Sequence, residues 1–170
     1  RQISVSVNDA SMGTAYVGTE SITSVSNQTG AVKIVAVPSE NAYRFVNWTV
    51  NGEEVATTAT FVDRTEGDKA YVANFEAKPI YTVGVSSATA KRGLATCDAA
   101  EVVYEGDVVT FTATPTDGYG FISWTVNGEV VSTENPYALE ITESVDLVAN
   151  FDVNPELNRS AWSVYTVSSE

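Results

Sequence analysis

Four tyrosines are the residues of this chain that are best placed, by sequence, to contact a ligand. Tyr43 and Tyr119 stand beside the turn before a Trp-containing segment, Tyr16 lies in the first turn region, and Tyr104 precedes an acidic turn. A partly exposed aromatic ring offers an apolar face and a polar hydroxyl, which suits it to stacking on a sugar. We treat these four as candidate ligand-facing aromatics, with packing into the core as the alternative.

Two groups of acidic residues have the close spacing that metal ligands need. Their members are Asp63, Glu66 and Asp68 in one group, and Glu101, Glu105 and Asp107 in the other. Ca²⁺ binds several carboxylate and carbonyl oxygens at once. Neither group has the Asp-x-Asp-x-Asp run of a calcium loop, so we predict no metal site. We interpret both groups as solvated acidic surface, with a calcium site as the alternative.

The composition argues against enzymatic chemistry. The 170 residues include no histidine and a single cysteine, Cys97. The chain therefore lacks the imidazole base of the common catalytic dyads, the usual zinc ligands and any internal disulfide. The acidic residues are so numerous that no particular pair can be assigned to glycoside hydrolysis. We expect no enzymatic activity and no cofactor.

The charge of the chain argues against two classes of partner. Nine basic residues against 22 acidic ones give a net charge of −13, which repels phosphate backbones and anionic lipid headgroups. The sequence also contains no apolar run of the roughly 18 residues that a membrane-spanning helix needs. We therefore expect no nucleic-acid partner and no direct membrane insertion.

The elements that would position the candidate residues occur twice. The segment 45–55 recurs as 121–131, 76 residues later, and both copies contain Trp-Thr-Val-Asn-Gly-Glu. The Val-Ala-Asn-Phe of residues 72–75 recurs at 148–151 with the same offset. Such self-similarity over a long period indicates tandem copies of one structural unit.

The upstream halves of the two copies align with small shifts. Residues 35–38 match 112–115 at an offset of 77, and Ile3–Val7 matches 81–85 at an offset of 78. Single-residue shifts are typical of loops, which tolerate insertion. The predicted boundaries are 1–78 for the first module, 79–153 for the second module, and 154–170 for a linker and tail.

Apolar and polar residues alternate within each module, which indicates half-buried strands. In the strand before Asn51-Gly52, the alternation places Val46 and Trp48 on one face and Phe45 on the other, and the second copy has the same pattern. Asn-Gly is the strongest short signal for a type I′ hairpin. The predicted inward residues of a closing strand are Tyr71, Ala73 and Phe75, with Leu147, Ala149 and Phe151 in the second copy.

No segment shows a helical stripe with caps, so the predicted fold class is all-β with little helix, arranged as two tandem small β modules. Trp48 and Trp124 occupy the same strand position in both modules, between apolar neighbours. Large aromatic residues at such positions usually pack in the core. We expect core packing for both, with glycan stacking as the alternative.

The ordered motifs of the second module resemble the divergent internalin B-repeat family of bacterial surface proteins. The residues that carry the resemblance are Gly93, Tyr104-Glu-Gly-Asp, the alternating 109–115, Gly118-Tyr-Gly-Phe, Trp124 and Ala149-Asn-Phe. The first module departs from this pattern in its loops. The resemblance implies a compact β-rich, β-grasp-like module that is repeated in extracellular multidomain chains, and it does not imply catalysis.

The last residues carry a second resemblance. Residues 157–170, with Arg159, Trp162 and a terminal Ser-Ser-Glu, are similar to the opening strand of discoidin-type (galactose-binding-like) domains. The resemblance implies the start of a following domain. The alternative is a C-terminal strand that pairs with the second module.

These observations predict an extracellular or cell-surface location and a non-catalytic spacer or interaction platform in a bacterial multidomain protein. The first alternative is a carbohydrate-binding module. The second is an accessory part of a glycan-degrading surface enzyme. The expected partners are a glycan, a host or bacterial surface protein, and neighbouring domains of the same chain.

Overall fold

The structure is a computed structural model that describes residues 1–154. The chain divides between Lys78 and Pro79 into two compact units. Residues 1–154 contain strands and turns but no helix, so they offer no helical segment that could cross a bilayer. The all-β prediction with two tandem modules is therefore confirmed.

Strands of two to nine residues make up both modules. Those of the first module are β1 (Ile3–Val7), β2 (Gly13–Val17), β3 (Ser24–Val25), β4 (Val32–Pro38), β5 (Tyr43–Val50), β6 (Glu53–Ala56), β7 (Thr60–Asp63) and β8 (Lys69–Ala77). Those of the second module are β9 (Ile80–Tyr81), β10 (Val83–Ser87), β11 (Gly93–Cys97), β12 (Val103–Tyr104), β13 (Val108–Pro115), β14 (Tyr119–Val126), β15 (Glu129–Ser132), β16 (Tyr137–Glu140) and β17 (Val145–Val153).

Each module packs a larger sheet against a smaller one. In the first module the larger sheet has the order β3-β1-β8-β5-β6 and the smaller sheet has the order β2-β4-β7. The first strand β1 pairs in parallel with the last strand β8, whereas the other pairs are antiparallel. First and last strands side by side at the sheet centre make the larger sheet β-grasp-like, with the smaller sheet as its cover.

The second module repeats this topology with one local change. Its sheets have the orders β10-β17-β14-β15, β11-β13-β16 and β12-β9. In the first module Ile3 pairs with both β3 and β8. In the second module Tyr81 pairs with β12, and Val83 pairs with β17. The first strand is thus divided into β9 and β10.

This division corrects the repeat alignment. The predicted offset of 78 holds where the first strand meets β3 or β12, because Ile3 and Tyr81 correspond there. It is wrong where the first strand meets the closing strand, because Ile3 and Val83, which are 80 residues apart, occupy equivalent positions. A shift of two residues leaves every side chain on the same face, so alternation cannot distinguish the two alignments.

The core of each module lies between its two sheets. The predicted inward residues of the closing strands are buried, which confirms their orientation: Tyr71, Ala73, Phe75, Leu147, Ala149 and Phe151. Trp48 and Trp124 are completely buried at the centre of the two clusters. The expectation of core packing for both tryptophans is therefore confirmed.

One predicted strand face is wrong in both modules. The pairing of β5 with β8 shifts register between Phe45 and Asn47, so Val46 forms a β-bulge. Phe45 consequently faces inward and packs on Trp48, with ring centroids 5.7 Å apart, while Val46 is exposed. Ile122 is the corresponding exposed residue of the second module. An inserted residue reverses the alternation on one side of it.

The Asn of each Ala-Asn-Phe motif holds this bulge. Asn74 Nδ2 donates to Asn47 Oδ1 at 2.8 Å and to Thr49 Oγ1 at 3.2 Å. Asn150 Nδ2 donates to the Ser123 carbonyl at 3.2 Å and to Thr125 Oγ1 at 3.1 Å. The motif therefore satisfies polar groups that the interrupted ladder leaves without strand partners.

The predicted hairpins form at both Asn-Gly pairs. The φ angles are 52° at Asn51 and 83° at Gly52, and 50° at Asn127 and 83° at Gly128. Positive φ at both central residues is the type I′ geometry, whose twist matches that of the flanking strands. The prediction of a central hairpin in each module is confirmed by the pairing of β5 with β6 and of β14 with β15.

A phenylalanine ring from each closing strand lies directly on a glycine of the smaller sheet. A Cβ atom added to Gly13 would lie 2.5 Å from the Phe75 ring, and one added to Gly93 would lie 2.5 Å from the Phe151 ring. Glycine is required at these two positions because the ring occupies the space of a side chain.

We predict that Gly13→Ala and Gly93→Ala each lower the free energy of unfolding of their module by about 2 kcal/mol, because a packed ring must be displaced. Urea denaturation monitored by hydrogen exchange of β8 and β17 measures each module separately. Gly30→Ala in the first module and Gly120→Ala in the second are the controls, because an added Cβ meets no atom within 4 Å at either position. A loss at Gly13 or Gly93 no larger than that of the control in the same module would contradict the prediction.

Candidate functional site

Asp63 is a buried acidic residue at one end of the first module, where Arg1 meets β7. Arg1 Nη1 forms an ion pair with Asp63 Oδ2 at 2.8 Å, and both side chains are almost fully buried. Thr65 donates to Asp63 Oδ1 from its backbone N–H at 2.8 Å and from its hydroxyl at 2.7 Å. Tyr71 lies close enough to Asp63 for the two side chains to interact electrostatically. We call Arg1, Asp63, Thr65 and Tyr71 the Asp63 cluster.

The Asp63 cluster fixes the charge state of its members. Burial disfavours the carboxylate of Asp63, but the hydrogen bonds from Thr65 and the charge of Arg1 outweigh it, so the pKa of Asp63 lies below its ordinary value. Burial, together with the neighbouring Asp63 carboxylate, raises the pKa of Tyr71 to about 12. At neutral pH the cluster therefore holds an ionised Asp63 and a neutral Tyr71, which suits neither for proton transfer.

Arg1 also joins two loops of the first module. Its guanidinium donates to the carbonyl oxygens of Gly30, at 2.7 Å, and of Thr65. In the second module the equivalent loops are joined directly, since Gly106 N–H donates to the Ile141 carbonyl at 2.8 Å and Ile141 N–H donates to the Asp107 carbonyl at 2.8 Å. The Arg1 side chain thus replaces a pair of backbone hydrogen bonds.

Two clefts adjoin the Asp63 cluster and share Arg64 and Thr65 in their walls. The first, which we call the loop cleft, has a volume of about 480 Å³ and lies between the two loops bridged by Arg1. The second, which we call the hairpin cleft, has a volume of about 470 Å³ and lies between β7 and the β5–β6 hairpin. Its walls include the side chains of Val55 and Phe61.

The carboxylates of Asp63 and Asp68 are already engaged by neighbouring groups. The buried carboxylate of Asp63 is engaged by Arg1 and Thr65. Asp68 Oδ1 accepts the Gln2 N–H at 2.7 Å, and within residues 1–154 no group of three acidic or thiol side chains is arranged to hold a metal ion. Both clefts offer polar contacts to a ligand, and the hairpin cleft adds an apolar wall.

Two of the four candidate tyrosines occupy equivalent places in the two modules. Tyr43 begins β5 opposite Ala77, and Tyr119 begins β14 opposite Val153. Both are half-buried. The Arg92 guanidinium lies over the Tyr119 ring, 5.6 Å from its centroid. That face of the Tyr119 ring is therefore already covered by a cation–π contact.

The other two candidates lie elsewhere in their modules. Tyr16 is half-buried opposite Val35 on the outward face of the smaller sheet, since its neighbours Ala15 and Val17 are buried. Tyr104 ends β12, and its N–H donates to Asp107 Oδ2 at 2.9 Å. Neither the loop cleft nor the hairpin cleft is lined by any of the four tyrosines.

The two buried tryptophans differ in one hydrogen bond. Trp124 Nε1 donates to the Glu134 carbonyl at 3.0 Å. Trp48 Nε1 is buried without a hydrogen-bond partner. Cys97 is a free, half-buried thiol on β11, packed against the core of the second module. None of these groups faces a cleft described above.

Sequence reasoning did not identify the Asp63 cluster, although the repeat contained a signal for it. At an offset of 76, Asp63 corresponds to Leu139 and Tyr71 to Leu147. Asp63 and Leu139 occupy the same inward strand position in the two modules, and so do Tyr71 and Leu147. An acidic residue at such a position requires a buried partner. Two polar residues in place of two leucines indicate a polar contact in the first module, but not that its partner is Arg1.

The comparison with protein families agrees with this repeated architecture. The family model described as Divergent InlB B-repeat domain matches residues 3–79 and 81–155. The chain belongs to this family. No curated protein and no solved structure matches the chain significantly. The resemblance to a discoidin-type domain in 157–170 falls outside the described residues and is not supported by the comparisons.

We predict that Asp63→Asn lowers the free energy of unfolding of the first module by about 3 kcal/mol at neutral pH, because it leaves the buried Arg1 charge without a carboxylate. The lowered pKa of Asp63 means that its stabilisation is present above the ordinary carboxyl pKa and is lost as the pH falls through the folded-state pKa. Hydrogen exchange of β8 between neutral and acid pH measures both effects.

The variant should therefore lose less stability on acidification than the original chain. Glu20→Gln, at an exposed turn position of the first module, is the control and is expected to change neither value. An acid-induced loss in the first module that is identical with and without Asp63 would refute the assignment.

We also predict that Trp124→Phe destabilises its module by about 1 kcal/mol more than Trp48→Phe destabilises the first module, because only Trp124 loses a hydrogen bond. Chemical denaturation read by hydrogen exchange of β17 and β8 compares the two losses. A larger loss for Trp48→Phe would show that the unpaired Trp48 Nε1 does not distinguish the modules.

Proposed function

We propose that this chain is a non-catalytic tandem repeat of a bacterial surface or secreted multidomain protein, and that it acts as a spacer or interaction platform outside the cell. Membership of the divergent InlB B-repeat family supports a role as a repeated surface module. Its partners are the neighbouring domains of the same chain and, through those domains, a host or bacterial surface protein.

The observation that carries this proposal is the use of the chemically distinctive residues for packing. Trp48 and Trp124 fill the two cores, Asp63 is neutralised by Arg1, and Tyr119 is covered by Arg92. The surface carries single exposed apolar side chains, such as Ile80, Leu94 and Val108, and a net charge of −13 that favours solubility and discourages self-association. A spacer needs a folded frame more than it needs reactive groups, and this use of the distinctive residues supports that role.

Carbohydrate binding is the second candidate function. Its support is the half-buried position of Tyr43 and Tyr119 at equivalent strand starts, together with the two clefts of the first module. A sugar could stack on such a ring with modest affinity. The role of an accessory part of a glycan-degrading surface enzyme belongs to this candidate, and it requires a catalytic domain elsewhere in the parent protein.

A glycan array probed with the complete chain tests the two functions against each other. The spacer function predicts no saturable signal on any glycan, because both tryptophans are buried and one face of the Tyr119 ring is covered by Arg92. Tyr43→Ala and Tyr119→Ala serve as paired variants, with Val46→Ala at an exposed bulge position as control. Saturable binding that the tyrosine variants abolish and the control retains would overturn the spacer function in favour of carbohydrate binding.

A further inference from the structure

The first and last strands of each module are joined in a geometry that resists pulling on the chain. β1 and β8 are parallel, with Ile3 opposite Lys69 and Val7 opposite Ala73. The chain therefore reaches the first module at one end of this strand pair and leaves it, after Ala77, at the other end. Tension applied through the flanking chain slides the two strands along each other, so their hydrogen bonds bear the load together instead of breaking one after another.

We infer that each module is a mechanical shear clamp, and that the tandem repeat bears tensile load between the domains that it separates. This inference extends the spacer role proposed above from separating domains to transmitting force between them. Forced unfolding is governed by the barrier along the direction of pulling and not by equilibrium stability. The strand order, and not the free energy of unfolding, therefore determines whether a module resists pulling.

Hydrogen bonds beyond the ladder reinforce the clamp of the first module. Asn8 follows β1, and its side chain continues the pairing with β8: Nδ2 donates to the Phe75 carbonyl at 2.9 Å, and Oδ1 accepts the Phe75 N–H at 2.9 Å. The Asn8 N–H donates to the Ala73 carbonyl at 3.0 Å. These bonds lengthen the region that must shear before β1 can separate.

The closing strand is itself firmly held. β8 lies at the centre of the larger sheet, with β1 on one side and β5 on the other, and its inward residues Tyr71, Ala73 and Phe75 are buried. Withdrawing β8 would break its ladders with both β1 and β5, whereas sliding β1 breaks the five-residue ladder with β8 and only a two-residue pairing with β3. The weakest path under tension therefore runs through the parallel pair.

The second module has the same parallel strand pair, with fewer hydrogen bonds beyond the ladder. β10 and β17 are parallel, with Val83 opposite Val145 and Ser87 opposite Ala149. Ala88 takes the place of Asn8, and its N–H donates to the Ala149 carbonyl at 2.9 Å. Alanine has no side-chain amide to extend the ladder, so the second module should yield at a lower force than the first.

The segment between the clamps is short. β8 ends at Ala77 and β10, the clamp strand of the second module, begins at Val83, so residues 78–82, which include the two-residue strand β9, separate the two clamps. Proline restricts the backbone of this segment. Tension that leaves the first clamp therefore enters the second with little slack chain between them.

Single-molecule pulling on the complete chain in two directions tests the clamp. Handles attached through Gln2→Cys and Ala77→Cys load β1 and β8 in shear. Handles attached through Ala10→Cys and Ala77→Cys open the same strand pair from one end. All three positions are exposed, and Cys97→Ala in both chains removes the native thiol.

We expect the unfolding-force distribution of the first module to be shifted to higher force in the shear direction than in the opening direction, at the same loading rate. Both directions unfold the same module, so a difference in equilibrium stability cannot produce the shift. Equal forces in the two directions would overturn the clamp.

Two asparagine variants separate mechanical from thermodynamic effects. Asn8→Ala removes the bonds that extend the clamp, whereas Asn74→Ala removes bonds to the bulge of β5, outside the parallel pair. Both should lower the melting temperature, but only Asn8→Ala should lower the shear force. An equal fall in force for both variants would overturn the inference, whereas the spacer function would still be judged by the glycan array.

Discussion

The parallel pairing of the first strand with the last is the constraint on which each module depends. Parallel neighbours cannot be joined by a tight turn, so the chain between β1 and β8 must leave the strand pair and return to it. It does so by building the smaller sheet and the β5–β6 hairpin. The closing strand thereby reaches the centre of the larger sheet with one face directed at the smaller sheet. The core forms between these two layers.

This arrangement explains why particular residue types recur at fixed places. The inward face of the closing strand alternates small and large residues, so Ala73 and Ala149 make room for Trp48 and Trp124. The phenylalanine at the end of the same face covers a glycine of the smaller sheet. The asparagine between them points to the outer face and supports the bulge. The Ala-Asn-Phe motif is therefore a structural motif on both of its faces.

The two modules share this strand arrangement but differ at one place in the interior, which is polar in the first module and apolar in the second. Where the first module buries Asp63 against Arg1, the second module has Leu139 and direct backbone hydrogen bonds between the loops. A buried ion pair contributes less to stability than its short distances imply, because both charges lose their hydration. The exchange changes the local surface, with two clefts beside the Asp63 cluster, and leaves the strand order unchanged. A repeat whose loops vary on a constant frame suits the spacer function that we propose.

Features that depend on local geometry could be predicted from the sequence alone. Alternation and turn chemistry act within a few residues of the chain. They account for the repeat, the all-β class, the inward face of the closing strands, and the type I′ turns at Asn51-Gly52 and Asn127-Gly128. Three other features became visible only in the folded structure. They are the bulge at Val46, the division of the first strand of the second module, and the place of Tyr119 beneath Arg92. A fourth is the pairing of Arg1 with Asp63, which lies 62 residues further along the chain. The physical reason is that a strand's register and a buried charge's partner are set by neighbours distant in sequence, about which local alternation carries no information.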